Sequence, residues 1–263
     1  MTQSLHPMAQ QGFSSAAELY QHVRPSYPQD IVNWLRNRLQ LCETSHVIDL
    51  GSGTGKFLPY LQQVTSHIVA VEPIKEMLAQ LNAAYPDIQT LQASSDHLPI
   101  PTNSIDTVVC AQSFHWFANF ETLQQIHQVL KPSAHLALIW NQRDIQVNWV
   151  KALADVLKPL EMNTPRYHSN EWKNVFEHQS LFRLEHSQTF QQQHVGTVEN
   201  VVSKRLLSTS FIAAMPEQQQ KQLKSQFEDI VLKYTGKHPQ DEIAFPYITY
   251  AYDFRKIDPN NLK

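Results

Sequence analysis

Between residues 46 and 140 short apolar runs alternate with amphipathic stretches, and this rhythm constrains the fold more than any other feature. His46–Leu50, His67–Val71, Ile88–Ala93, Ile105–Ala111 and Ala134–Trp140 read as strands of a buried parallel sheet. Lys56–Val64 and Phe120–Leu130 between them read as helices, and Ile74, Met77, Leu78 and Leu81 fall at i, i+3, i+4 and i+7 of another. Such alternation builds an α/β sheet covered on both faces, with right-handed crossovers and a doubly wound layout. Ligands of these sheets bind beyond the carboxyl ends of the strands. Asp49, Glu72, Ser94 and Gln112 all fall at or just after such ends.

The flanks are less regular. Ser14–Tyr20 reads as a short helix, the Arg24-Pro25-Ser26-Tyr27-Pro28 stretch as extended or turn backbone, and Asp30–Leu41 as a helix. Beyond Asn141, Val147–Leu160 and Asn170–Glu177 look helical, and Phe182–Phe190 alternates apolar with polar residues as a half-exposed strand does. Thr197–Ser208 and Glu217–Tyr234 are helical patterns, and Phe245–Phe254 is a final strand rich in Tyr, Ile and Thr. The last two strands are expected to pair, with a helical excursion between them. The glutamine triplets at 191–193 and 218–220 read as solvated stretches.

Composition excludes several classes. A net charge of −3 with both signs dispersed provides no basic face for nucleic acid. Two cysteines, Cys42 and Cys110, read as buried free thiols of a reducing compartment. No apolar run approaches the ~18 residues of a membrane span, and the polar, Gln-rich start lacks a leader pattern. The expectation is a cytoplasmic protein that works away from membranes.

The residues with most chemical content are Val47-Ile-Asp-Leu-Gly-Ser-Gly-Thr-Gly-Lys56. An apolar strand ends in a turn with glycines at 51, 53 and 55, and a helix follows. Such a turn brings bare backbone close to a nucleotide-like ligand. A dinucleotide site wants Gly-x-Gly-x-x-Gly with an acid ~20 residues on. Glu72 supplies the acid, but the third glycine comes one residue early. Asp49 at the mouth of the turn would repel a pyrophosphate and would welcome an ammonium group. The spacing of Gly51 and Lys56 also excludes a Walker-type phosphate loop.

Together with Val69-Ala-Val-Glu-Pro73, Leu98-Pro-Ile-Pro101 and Asp106, this decapeptide resembles a class I S-adenosylmethionine (SAM)-dependent methyltransferase. Within that superfamily the chain is similar to the small-molecule type 11 group. The blocks Tyr20-x-x-x-Arg24-Pro25-x-Tyr27-Pro28 and Ala111-Gln-Ser-Phe-His-Trp-Phe117 are similar to those of trans-aconitate-methyltransferase-like proteins. The resemblance covers residues 13–141.

It implies an α/β, doubly wound, Rossmann-like seven-stranded sheet with helical cap insertions, in a single domain over 1–263. Residues 1–45 would form an N-terminal helical lid and 46–141 the SAM-binding core. Residues 142–263 would add substrate-cap helices and the closing strand pair. The cofactor would be SAM, framed by Asp49, Gly51, Ser52, Gly53, Thr54 and Gly55. Glu72 would accept both ribose hydroxyls, and Pro73, Ile74 and Met77 would pack near the adenine. Ser94 and Ser95 would lie along the adenine edge, where many relatives carry an acid at the position of Ser94. Gln112 would reach the methionine moiety, and Tyr20 or Arg24 would lie near its carboxylate or the substrate.

His115, just after the fourth strand, is the one candidate general base, its alternative being a wall residue. Phe114, Trp116 and Phe117 are either core or aromatic neighbours of the sulfonium. Arg143, Trp149, Trp172 and Arg205 could line the pocket or be ordinary core or surface. The histidines show no paired ligand spacing, so no metal site is expected. The implied reaction is in-line methyl transfer to a small-molecule oxygen, nitrogen or carbon by a monomer or homodimer; the alternative is a SAM-binding sensor or assembly protein without catalysis.

Overall fold

The computed structural model describes residues 23–161 and 164–258. The expected Ser14–Tyr20 helix and Tyr20 itself lie outside the described residues. Seven strands form one sheet: β1 (Val47–Leu50), β2 (Ile68–Val71), β3 (Gln89–Leu91), β4 (Ile105–Ala111), β5 (Leu130–Arg143), β6 (Phe182–Thr197) and β7 (Glu242–Lys256). Their order is β3-β2-β1-β4-β5-β7-β6, with β1 to β5 parallel and β7 antiparallel to both neighbours. The order reverses between β1 and β4, and a ligand crevice opens where a doubly wound sheet does this.

Strand periodicity sorts the core into two layers. Val47, Ile68, Ala70, Val109, Ala137 and Ile139 face helices α1 (Asp30–Asn37), α2 (Leu58–Leu61) and α3 (Lys75–Ala84) through Ile31, Leu35, Leu58, Leu61 and Leu81. Ile48, Leu50, Val108, Cys110, Leu136 and Leu138 face the other way, onto Leu123, Ile126 and Val129 of α4 (Phe120–Val129). Asn119 caps α4 by accepting a hydrogen bond from the Thr122 N–H at 2.7 Å.

A third apolar cluster belongs to the C-terminal cap. Helix α5 (Asn148–Leu157) packs with α8 (Glu217–Thr235) through Val150, Leu153, Phe227 and Val231. The short helices α6 (Arg205–Leu207) and α7 (Ser210–Ala213) complete that layer. At the sheet's amino-terminal edge, fully buried Asp253 accepts from Arg38 Nε and contacts His135 Nδ1, each at 2.7 Å, tying α1 to β5 and β7.

Several expectations shift. Cys110 is buried but Cys42 is exposed, because Leu41 takes the inward position beside it. Residues 53–57 remain in the turn, so α2 begins only at Leu58, with Pro59 in its first turn. Strand β6 runs past Phe190 to Thr197 and takes up the first glutamine triplet, pairing Gln191 with Ile248 and Gln193 with Pro246. Ladder pairing with apolar β7 overrides the polar composition there, although Gln191 and Gln193 keep the expected solvent exposure. The 197–208 pattern is helical, but Glu199–Lys204 winds as a π-helix before α6. Among the described residues no helix is long and apolar enough to cross a membrane.

Candidate active site

Beyond the carboxyl ends of β1, β2 and β4 lies a cleft enclosing about 910 Å³, its open mouth included. Of the residues named from sequence, Arg24, Asp49, Gly51, Ser52, Gly53, Thr54, Glu72, Pro73, Ile74, Met77 and Gln112 line it. Ser94 and Ser95 line an adjoining recess with Gly51, Pro73 and Phe117. Their hydroxyls are engaged elsewhere, Ser94 with Asp96 and Ser95 with Thr122.

The three glycines have different tasks. A Cβ on Gly51 would come within 2.6 Å of Ser113 Cβ, and one on Gly55 within 2.8 Å of the Tyr85 ring, so both are required by packing. Gly55 abuts Tyr85 and Leu58 and does not line the cleft. At Gly53, φ is +58° and a Cβ would meet only Met77 Sδ at 3.9 Å, so the space is open to a ligand. Gly53→Ala should therefore fold, losing roughly 1 kcal/mol to left-handed strain. It should bind SAM about tenfold or more weaker, corresponding to roughly 1.4 kcal/mol of lost contact. Calorimetric titration beside a thermal melt checks both.

Two carboxylates face this cleft. Glu72 Oε2 accepts from the Gly53 N–H and Oε1 from the Ile74 N–H, each at 2.9 Å, leaving further lone pairs on both oxygens. Burial raises its pKa to about 6, against the opposing pull of those N–H groups. Asp49 is 1% exposed, and neither of its oxygens has a partner. Burial, and then the nearby Glu72, raises its pKa to about 7. An unpartnered buried carboxylate is costly unless a cation meets it. A ligand that carries an ammonium group and a pair of vicinal hydroxyls fits this pair of acids, which is the donor set of SAM.

Three parts of the chain close over the cleft. Lys56 Nζ donates to the Arg24 carbonyl at 2.6 Å, and Arg24 Nη2 donates to the Ser208 carbonyl at 3.0 Å. Asn141 donates to the Ser26 carbonyl at 2.9 Å and accepts from Thr249 at 2.6 Å, anchoring the 24–27 segment to the sheet. Gln112 holds a left-handed φ of +62° and donates to the Asn141 carbonyl at 3.0 Å. Phe114 is core, whereas Trp116 and Phe117 line the cleft. Trp149 and Trp172 are buried in the cap core and the sheet core.

A second, polar cavity of about 550 Å³ shares Arg24, Gln112, Asn141 and Arg205 with the first. His115, Arg143, Glu161, Arg166, Thr209 and Tyr247 also line it. Arg205 is 8% exposed, and its Nε and Nη1 have no partner. The buried Tyr247 and Thr209 hydroxyls are equally unpartnered. Glu161 pairs with His168 at 2.8 Å. Sequence reading had Arg143 and Arg205 only as open possibilities, and it missed Glu161, Thr209 and Tyr247, which carry no local pattern. Lys56, beside the glycine turn, was within its reach. Among the described residues no group of three or more His, Cys, Asp or Glu side chains could hold a metal.

A seven-stranded sheet of this order, with an acid-lined glycine cleft at its switch point, defines a class I SAM-dependent methyltransferase. Residues 48–138 match the methyltransferase domain family model. An uncharacterized methyltransferase-like protein of Schizosaccharomyces pombe is 33% identical over 240 residues, 90% of this chain and 92% of that protein. An uncharacterized methyltransferase of Mycobacterium tuberculosis is 34% identical over 190 residues, 68% of this chain and 76% of its own. A solved structure from Anaeromyxobacter dehalogenans, described as a type II methyltransferase, superposes with a TM-score of 0.66 at 18% identity, covering 89% of this chain and 97% of that one. The chain belongs to the methyltransferase family. It is an enzyme, and SAM is its methyl donor.

Proposed function

We propose that the enzyme methylates a small molecule at a carboxylate. The observation that carries this reading is the buried Arg205 guanidinium, which offers Nε and Nη1 to the second cavity without a protein acceptor. A planar fork of donors is the natural partner of a carboxylate. Arg143, and the charges of Arg24 and Arg166, make the lining strongly positive, and its one carboxylate among the described residues, Glu161, is already paired with His168. The Tyr247 and Thr209 hydroxyls supply further donors. The motif resemblance to trans-aconitate-methyltransferase-like proteins supports an acidic acceptor too.

SAM, when bound, supplies a methyl group activated by its sulfonium. The residues here do the rest by placement. Asp49 and Glu72 hold the donor, and Arg205 and Arg143 hold the acceptor across a shared wall. A carboxylate is already ionised at neutral pH and needs no base. The test is S-adenosylhomocysteine release with SAM and a panel of small mono-, di- and tricarboxylates and their amides. Turnover is expected with carboxylates and not with amides; turnover confined to amines or alcohols would sink the reading.

A further inference from the structure

His115 sits where a general base would, and its surroundings fit it for something else. It occupies the 3₁₀ turn Phe114–Trp116, with its ring lining the polar cavity. The indole N–H of Trp140 donates to its Nδ1 at 3.0 Å. Indole nitrogen is only ever a donor, so Nδ1 must present its lone pair, and the proton of the neutral ring resides on Nε2. Trp140 is fully buried among Tyr167, Trp172 and Tyr252, which fixes the direction of that bond. Nε2 makes no hydrogen bond to a described residue, leaving the ring's one N–H for the cavity. Burial, followed by the charges of Arg166, Arg24 and His168 that face the ring, pushes its pKa down to about 3.

We propose that Trp140 holds His115 in the tautomer whose Nε2–H donates to the acceptor's carboxylate, so that this histidine orients the nucleophile and takes no proton. The inference rests on the carboxylate reading above. It suits the chemistry: one carboxylate oxygen forms the C–O bond as the S–C bond breaks, and the sulfur keeps the electron pair. The carboxylate and sulfonium charges cancel, and no proton moves. A neutral donor directs the oxygen without the charge neutralisation that an imidazolium would impose on it.

The test combines spectroscopy and kinetics on the full chain. Long-range 1H–15N spectra of histidine-labelled protein saturated with S-adenosylhomocysteine should show His115 with bare Nδ1 and protonated Nε2 from pH 5.5 to 8. H115Q identifies the signal by its loss. With the fastest carboxylate of the panel, H115Q, which keeps an N–H near the Nε2 position, should stay within about threefold of the parent in kcat. H115L should lose about 10- to 100-fold in kcat, the scale of one hydrogen bond to a charged group. W140F should populate the second tautomer. Ring protonation in that pH range, a protonated Nδ1 in the parent, or equal damage from H115Q and H115L would overturn the proposal. If no carboxylate turns over, the acceptor reading fails, and the ring spectrum still decides the tautomer.

Discussion

Asp49→Asn is expected to make the cofactor-free protein more stable at pH 8 and its binding of SAM about 10- to 100-fold weaker. With its pKa raised to about 7, folded Asp49 holds its proton where the unfolded chain has lost it. Stability from this group is therefore present at pH ~4, near the unfolded pKa, and is lost as pH rises through 7. Above that the folded protein bears an ionised, unpartnered carboxylate in its core. Asparagine removes the charge, so the variant should gain more at pH 8 than at pH 5, by on the order of 2–3 kcal/mol. Thermal unfolding at the two pH values reads this difference.

Binding should run the other way. SAM affinity of the parent should strengthen from pH 6 to 8 as Asp49 ionises against the ammonium. The variant should lose the rise around pH 7, keep only the smaller one that Glu72 gives near pH 6, and bind about 10- to 100-fold weaker, as expected for a lost charge-assisted hydrogen bond. A variant that binds SAM as the parent does would take Asp49 out of the site.

Arg205→Leu should separate donor from acceptor. Loss of one member of a buried charge pair costs about 2–5 kcal/mol, so kcat/KM for the carboxylate should fall by roughly 30-fold or more. SAM affinity should change far less, because Asp49, Gly53 and Glu72 are untouched. The cofactor-free protein should melt higher, since an unpartnered guanidinium gives way to an apolar side chain. Arg205→Lys keeps the charge without the fork and should fall between. Equal losses in SAM affinity and turnover would assign Arg205 to the donor instead.

The cleft beyond β1 and β2 was legible because its signals are local. Five strands, the glycine turn and the spacing to Glu72 lie within one stretch of chain, so most residues named from it line the cleft, whereas Gly55 turns to packing and the Ser94 and Ser95 hydroxyls bond elsewhere. Which of Ile48 and Val109 faces which layer came only with the folded sheet, because strands buried on both faces carry no alternation to read. The second, polar cavity proposed for the acceptor was not legible, because it is assembled at long range. Arg143 ends β5, Arg205 follows a π-helical turn, and Tyr247 lies on β7. Arg143, Trp149, Trp172 and Arg205 were equal candidates in sequence, and only packing separated the two arginines from the two tryptophans. Cys42 and Cys110 look alike in sequence for the same reason, since exposure depends on which side of a loop faces out.

Residues 198–241 leave and rejoin the sheet at paired positions, Thr197 opposite Glu242, so the ladder on either side is indifferent to what the excursion contains. Doubling the length of such an insert costs only about 0.6 kcal/mol of closure entropy. The insert can therefore change length, and with it the placing of Arg205 and Thr209, while Asp49, Gly53 and Glu72, which stand outside it, keep their positions.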